Sequence, residues 1–351
     1  MDKEKIKDFA DHVYRDMAGA MSVGMAYVGT KLGLFEAMSG AGGLSVDEVV
    51  GRTGLDGRYV REWLFGMVAA GYLEYDPEVE TFRLPEEHAY LLASEGTDHF
   101  MGGLFYMAPV LLGIAPKVAE AFRNGGGVQF ADFGSECVVG LDMINRGQYE
   151  QRLSTYWLQS MPEVVEKLNN GGRVLDVGCG VGRVAIAIAK AFPDAHVVGL
   201  DPDEESIRRA REAATEAGIA DNIEFVAAVT CELQSAEPFD LVTAFDCVHD
   251  FSMPQQTLTE IKSLLHPAGT LFIVEPKAAD RLEDNVHSLG AVYYGFSIFH
   301  CMTQSLADGG PGLGTCMGPE MTATLIREAG FGRFERLEIR SQTNLFYAVG
   351  H

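Results

Sequence analysis

Apolar runs and a glycine turn set the pattern for the second half of the chain. Residues 174–177 form a short apolar run that predicts a buried strand, and three glycines follow within 178–182. The unbroken apolar segment 184–189 predicts a buried helix, and the apolar run 196–200 predicts a second strand that ends on Asp201. Strand, helix and strand in succession predict a parallel α/β sheet.

The same alternation continues to the carboxyl terminus. Further strands are predicted over 223–228, 239–245, 271–276, 334–340 and 344–349. Helices are predicted over 204–217, 254–265 and 319–329. The second half therefore predicts an α/β, Rossmann-like sheet of seven strands, the last two of which form a hairpin.

Helical spacing dominates the first half of the chain. It extends over 4–39, and two short capped helices and a hairpin follow within 45–84, an order that predicts a winged helix. From 91 to 165 the pattern is helical but interrupted by glycines, and a helix over 144–168 is predicted to lead into the sheet. Three regions result, with bounds 1–90, 91–165 and 166–351.

Charge and cysteine content narrow the possible partners. Fifty acidic residues against 27 basic ones give a formal net charge of −23, which repels phosphate backbones, so we expect no nucleic-acid partner. Six scattered cysteines without metal-binding spacing predict reduced thiols and no metal site. No apolar run has the length of a signal peptide core or a membrane span, so we expect a cytoplasmic protein without membrane attachment.

The glycine turn has the features of a ligand site. Glycines let a ligand approach the backbone closely, and the helix that follows presents free N–H groups. Asp201 lies 21 residues after Gly180, where a carboxylate can accept both hydroxyl groups of a ribose. The turn has the pattern GxGxG, which differs from the GxGxxG pattern of dinucleotide-binding sites. A dinucleotide-dependent dehydrogenase, or a turn that binds no ligand, remains an alternative. The expected ligand is a nucleoside.

The stretch VLDVGCGVG at 174–182 resembles motif I of the class I S-adenosylmethionine-dependent methyltransferases. The resemblance implies S-adenosylmethionine as cofactor and S-adenosylhomocysteine as product. It implies that the glycine turn holds the methionine part and the second-strand acid holds the ribose. The residues included in this predicted cofactor site are Asp176, Gly178, Cys179, Gly180, Asp201, Pro202, Thr230 and Asp246. The family commonly has an acid after the third strand for the adenine amino group, but Val229 stands there, which leaves Thr230, backbone groups or apolar contacts for that role.

The segment 32–76 resembles the winged-helix dimerisation domain of many small-molecule methyltransferases. The resemblance implies a homodimer formed through residues 1–90, a connector at 91–165 that contributes helices to the substrate pocket, and a cofactor-binding domain at 166–351. A ligand-sensing DNA-binding regulator is the alternative of a different class. The helix predicted at 57–64 has two arginines opposed by a glutamate and offers few phosphate contacts.

The stretch VHDFS at 248–252 resembles the LHDWS motif of the plant-type O-methyltransferases. The resemblance implies that His249 is the general base and that Glu275 flanks it. Both residues end neighbouring predicted strands, so we expect them to face one crevice and to act on a small-molecule acceptor.

The likeness to the plant-type enzymes is incomplete. The second carboxylate of those enzymes falls near Cys316, with Glu320 as the nearest acid. A thiol or thioether acceptor, which needs little or no base, therefore stays open. The aromatic insertion at 277–318 supplies three further candidate substrate residues: Tyr293, Tyr294 and His300.

Overall fold

The structure is a computed structural model that describes residues 1–219, 221–233 and 235–351. It divides into two compact units. The first contains residues 1–110 and 139–148, and the second contains 111–138 and 149–351. The predicted connector, 91–165, supplies residues to both units.

Helices and one short hairpin make up the first unit. Its elements are α1 (Lys3–Lys31), α2 (Leu34–Met38), α3 (Val46–Thr53), α4 (Gly57–Ala69), β1 (Glu74–Asp76), β2 (Thr81–Arg83), α5 (Glu86–Leu92) and most of α6 (Gly102–Gly113). Ser45 caps α3 because its hydroxyl accepts the Glu48 N–H at 3.3 Å, while the Glu48 carboxylate accepts the Ser45 N–H at 2.7 Å. The order of two helices and an antiparallel hairpin confirms the predicted winged helix.

The long helix α1 is buried only near its carboxyl end. There the indole N–H of Trp63 donates to the Met25 carbonyl at 2.8 Å, and Gly29 packs so closely that a Cβ would lie 2.6 Å from the Phe35 ring. Every residue before Ser22 is exposed. The exposed residues include an apolar series at helical spacing: Ile6, Phe9, Val13, Met17 and Met21.

The second unit contains the large sheet and the helices around it. Its helices are α7 (Ala115–Asn124), α8 (Ser135–Arg152, of which 139–148 belong to the first unit), α9 (Pro162–Asn169), α10 (Arg183–Ala191), α11 (Glu204–Glu216), α12 (Pro254–Leu264), α13 (Ser288–Phe296), α14 (Met302–Ala307) and α15 (Gly318–Glu328). Its strands are β3 (Arg173–Val177), β4 (His196–Asp201), β5 (Ile223–Ala227), β6 (Phe239–Phe245), β7 (Leu265–Pro276), β8 (Arg333–Arg336) and β9 (Asn344–Gly350).

The seven strands follow the order β5-β4-β3-β6-β7-β9-β8. Strands β3 to β7 are parallel, and β9 runs antiparallel to both β7 and β8. This confirms the Rossmann-like sheet with an antiparallel edge. The strand order reverses between β3 and β6, and ligands of open α/β sheets bind beyond the carboxyl ends of the strands at such a reversal.

Both faces of the sheet are covered. Along β3, Val174 belongs to one buried apolar cluster, while Leu175 and Val177 belong to another. Alternate residues of a strand point to opposite faces, so a strand buried on both sides reads as the near-continuous apolar run seen in the sequence.

The prediction of one continuous helix over 144–168 is wrong, because the helix is interrupted near the middle of this range. Helix α8 ends at Arg152, a π-helical turn and a 3-10 turn follow, and α9 begins at Pro162. Proline lacks an N–H and favours the first position of a helix, so the chain restarts there. The irregular turns bury Trp157, whose ring lies edge-on to Phe346 with centroids 4.9 Å apart.

Among the described residues, no single helix is both long and apolar enough to cross a membrane. Helices α6 and α7 reach that length and composition only when they are counted together as a bent pair.

Candidate active site

The turn between β3 and α10 depends on its glycines. Gly178, Gly180 and Gly182 all have positive φ angles, of 69°, 51° and 79°. A Cβ on Gly182 would lie 2.7 Å from the Phe225 ring, so that position has no room for a side chain. At Gly180 a Cβ would meet nothing within 4 Å, which leaves the backbone there open to a ligand.

Asp201, at the end of β4, is tied to this turn. One carboxylate oxygen accepts the Gly180 N–H and the other accepts the Asp203 N–H, each at 2.9 Å. Burial raises the pKa of Asp201, and these two hydrogen bonds partly oppose the rise. Each oxygen keeps capacity for a further donor, so the residues present fit a ribose. Beside them, Pro202 is exposed and Cys179 is buried.

Asp176 is a buried acid on the inner side of the turn. It is 2% exposed, and its Oδ1 accepts the Thr243 hydroxyl at 2.7 Å. Among the described residues its Oδ2 has no hydrogen-bond partner, which is uncommon for a buried polar atom. Burial raises the pKa of Asp176 to about 7. A buried acceptor with spare capacity beside the turn fits a ligand that donates hydrogen bonds.

Asp246 follows β6 in a strained backbone conformation. Its φ is +50°, which is uncommon for a residue other than glycine and is often found at functional sites. The Tyr149 hydroxyl donates to Asp246 Oδ2 at 2.8 Å, and the Asp246 N–H donates to the Val274 carbonyl at 2.8 Å. Burial, together with the charge of Glu275, raises the pKa of Asp246 to about 6.

The end of β6 packs directly against the glycine turn. A Cβ on Gly178 would lie 3.0 Å from Cys247 Cβ, and the Cys247 thiol donates to the Val177 carbonyl at 3.4 Å. His249 comes two residues later, so its short 3-10 turn begins beside the predicted cofactor site.

His249 and Glu275 form a buried pair, each side chain being about 3–4% exposed. Glu275 Oε2 lies 2.5 Å from His249 Nδ1, and Glu275 Oε1 accepts the Val248 N–H at 3.0 Å. Burial by itself lowers the pKa of His249. The carboxylate of Glu275, assisted by Asp250, more than offsets this and holds the pKa well above the ordinary histidine value. Because Nδ1 is held by Glu275, Nε2 is the nitrogen left for other partners.

Asp250 and Cys301, neither of them among the predicted site residues, lie close to the imidazole of His249. Asp250 Oδ1 lies 3.5 Å from His249 Nε2. The Cys301 sulfur belongs to the same cluster and accepts the Thr315 hydroxyl at 3.1 Å. Cys301 stands 52 residues from His249 in a segment without a recognisable motif, so only the fold brings them together.

Three of the predicted ligand residues use their polar atoms within the protein. The Thr230 hydroxyl donates to the Glu260 carboxylate, and the Tyr293 hydroxyl donates to the Thr343 carbonyl at 2.8 Å. His300 is buried, with Nε2 3.4 Å from the Cys137 sulfur, and burial lowers its pKa. Tyr294 is half-buried. These contacts give Thr230, Tyr293 and His300 a structural role in the protein itself.

The strand order, the glycine turn and the acid at the end of β4 define the class I methyltransferase fold. Residues 168–320 match the family model described as a methyltransferase domain, and residues 19–94 match the one described as an Rv2258c-like winged HTH domain. The chain therefore carries an S-adenosylmethionine-dependent methyltransferase domain preceded by a winged helix-turn-helix domain.

Individual proteins resemble this chain in sequence or in fold. A sterol 24-C-methyltransferase from Debaryomyces hansenii is 30% identical over 133 residues, which are 38% of this chain and 35% of that protein. The chain thus spans about a third of the length of that curated relative. An O-methyltransferase family protein from Burkholderia thailandensis has a TM-score of 0.68 and 17% identity, covering 100% of this chain and 98% of that one. Human N-acetylserotonin methyltransferase in complex with S-adenosylmethionine has a TM-score of 0.66 and 19% identity, covering 97% of each chain. At these identities the structural likeness establishes the fold.

Proposed function

We propose that this protein transfers the methyl group of S-adenosylmethionine to the oxygen of a small alcohol or phenol, with His249 as the general base. The observation that carries the proposal is the buried His249–Glu275 pair beside the glycine turn. Similar proteins include a ubiquinone biosynthesis O-methyltransferase from Aeromonas salmonicida and a mitomycin 7-O-methyltransferase, which supports the same reaction.

The glycine turn and three acids form the proposed cofactor site. The open backbone at Gly180 accommodates the methionine part, and Asp201 accepts the ribose hydroxyl groups. Asp176 places a buried carboxyl group next to the turn and Asp246 a half-buried one, and negative charge shielded from water suits a positively charged ligand. When bound, the cofactor supplies an activated methyl group on a sulfonium.

The base acts through the nitrogen that Glu275 leaves free. With Nδ1–H donating to the Glu275 carboxylate, the imidazole in its neutral form has its lone pair on Nε2 and can take the hydroxyl proton of the acceptor. Because the charges of Glu275 and Asp250 outweigh burial and hold the pKa of His249 high, the fraction in this form, and with it turnover, increases as pH rises toward that pKa. The same carboxylate stabilises the imidazolium that results. General-base catalysis of this kind typically contributes about 10²- to 10⁴-fold in rate.

The experiment that tests this proposal is His249→Ala, assayed with the purified full-length protein and a panel of phenols, alcohols and thiols. We expect turnover of phenols to fall by about 10²-fold or more, while calorimetry shows unchanged cofactor binding. His196→Ala is the matched control, because His196 is exposed at the amino end of β4. Turnover within threefold of the unmodified protein would exclude His249 as the base.

A thiol or thioether acceptor is the second candidate. Cys316 stands near the position of the second carboxylate of the plant-type enzymes, and it is half-buried. A neutral thioether carries no proton to remove, so its methylation needs alignment rather than a base. Turnover of a thioether that survives in His249→Ala, with phenols inert in both proteins, would support this candidate.

A DNA-binding regulator is disfavoured by the surface of α4. The exposed guanidinium of Arg58 is paired with Glu62 on the same helix, which leaves less positive charge for phosphates. Fluorescence anisotropy with duplex DNA tests this directly, and we expect no salt-dependent binding.

We also propose that a second copy of the chain covers the exposed apolar series on α1. Five apolar side chains at helical spacing lie on a helix that is exposed before Ser22. Helix pairing is the usual way to remove such a series from water, and the winged-helix domain match is consistent with a homodimer.

A further inference from the structure

Together with Asp250 and Cys301, His249 forms a group of three side chains of the kinds that bind metals. One ligand atom each from His249, Asp250 and Cys301 lies within 4.8 Å of the other two. His249 and Cys301 are buried, and Asp250 is half-buried. We propose that these three residues bind a divalent transition-metal cation such as Zn²⁺, and that the bound cation inhibits methyl transfer.

The ligand types and their spacing suit zinc. Imidazole nitrogen, carboxylate oxygen and thiolate sulfur are its protein ligands, with bonds of about 2.0–2.3 Å. In a tetrahedral site such bonds place the ligand atoms roughly 3–4 Å apart. His249 Nε2 and Asp250 Oδ1 are already at 3.5 Å, so only modest side-chain rotation is needed to enclose a cation. Three protein ligands leave a fourth position for water.

Each ligand also has the surroundings that metal ligands need. Glu275 accepts from His249 Nδ1, which directs the Nε2 lone pair outward, as in carboxylate–histidine–metal arrangements. The Thr315 hydroxyl donates to the Cys301 sulfur at 3.1 Å and would stabilise a thiolate. Among the described residues, Asp250 Oδ1 is buried without a hydrogen-bond partner, and a cation would satisfy it.

Inhibition follows from the shared nitrogen. A metal bond uses the Nε2 lone pair, so a metal-bound His249 cannot accept the proton of the acceptor. Binding displaces the thiol proton of Cys301 to solvent. This part of the inference rests on the proposed function, whereas the metal site itself does not.

Cobalt(II) titration of the full-length, chelator-treated protein tests the site without an activity assay. We expect one equivalent of Co²⁺ to give tetrahedral ligand-field bands and a thiolate-to-cobalt charge-transfer band, both removed by added Zn²⁺. Cys301→Ala should abolish the charge-transfer band, and Asp250→Asn should weaken Zn²⁺ binding at least tenfold. Cys231→Ala is the control, because Cys231 is exposed and lies outside this cluster. A charge-transfer band that persists in Cys301→Ala, or no such band in the unmodified protein, would overturn the metal site.

The inhibition is measured separately, with the metal-free rate of each variant as its own reference. We expect the Zn²⁺ concentration for half-inhibition to rise at least tenfold in Cys301→Ala and to stay unchanged in Cys231→Ala. Equal inhibition of both variants would refute inhibition through this site. If no acceptor is turned over at all, the proposed function fails, and the cobalt spectrum still decides whether the metal site exists.

Discussion

Replacing Glu275 by glutamine tests the hydrogen-bond geometry on which base catalysis depends. Glu275 Oε1 accepts the buried Val248 N–H at 3.0 Å, so a glutamine must keep its amide oxygen there. Its NH₂ group then faces His249 Nδ1, which Oε2 approaches at 2.5 Å in the unmodified protein. An NH₂ donor makes Nδ1 the acceptor and leaves the proton on Nε2. The imidazole can no longer take a proton from the acceptor.

The expected loss equals the contribution of the base. We expect kcat/KM for a phenol to fall by about 10²- to 10⁴-fold, which corresponds to about 3–5 kcal/mol of transition-state stabilisation. The change is nearly isosteric, so cofactor affinity measured by calorimetry should stay within about threefold. Initial rates from the formation of S-adenosylhomocysteine supply kcat and KM.

Glu335→Gln is the matched control, since Glu335 is an exposed glutamate on the edge strand β8. It should leave every constant unchanged. A loss below tenfold in Glu275→Gln, with intact cofactor binding, would contradict the assigned tautomer. An equal loss with a thioether, which carries no proton, would show that Glu275 acts on structure rather than on the base.

Three further changes probe the cofactor site and the subunit contact. Asp176→Asn should remove a pH dependence of stability: burial raises the pKa of Asp176 from 3.8 to about 7, so ionisation destabilises the folded state as pH rises between these values. The free energy of unfolding falls by up to about 4 kcal/mol over this whole pH range. The melting temperature of the unmodified protein should therefore drop more from pH 5 to pH 8 than that of the variant. Equal drops in melting temperature for the two proteins would refute this. Asp201→Ala should weaken cofactor binding at least tenfold by calorimetry. Asp194→Ala, which changes another acid in the same unit, should leave the affinity unchanged. Equal cofactor affinities for the two variants would exclude the assigned ribose contact. Met17→Asp should convert a dimer to a monomer in light scattering, because it places a charge in the exposed apolar series. Asp16→Ala on the same helix should leave the dimer intact. A monomeric unmodified protein would refute the proposed contact.

Local sequence determined the glycine turn and the chain segments that became strands. A turn of this kind is specified by residues within a few positions of each other, since glycine adopts the positive φ angles at 178, 180 and 182 without the strain that other residues incur. Apolar runs between polar turns predicted the inner strands, because strands buried on both faces carry little polar sequence. The strand predicted over 334–340 is largely exposed and ends at Arg336, so its length was wrong. His249 and Glu275 could be assigned to one crevice because parallel strands place their carboxyl ends at the same edge of the sheet.

The tertiary structure decided where the predicted ligand side chains donate their hydrogen bonds. Thr230 and Tyr293 were predicted ligand residues, yet their hydroxyls donate to Glu260 and to the Thr343 carbonyl, 30 and 50 positions away. Their partners depend on how helices and loops pack, and no spacing rule in the sequence encodes that packing.

The same reasoning applies to the groups that meet at the base. The Tyr149 hydroxyl donates to Asp246 across 97 residues, and Cys301 joins His249 and Asp250 from a segment beyond β7. Sequence alone determined the sheet, the turn and the histidine–glutamate pair, because each follows from local pattern and strand order. The environment of Nε2 required the fold, since it is assembled from side chains of several distant segments whose meeting depends on long-range packing.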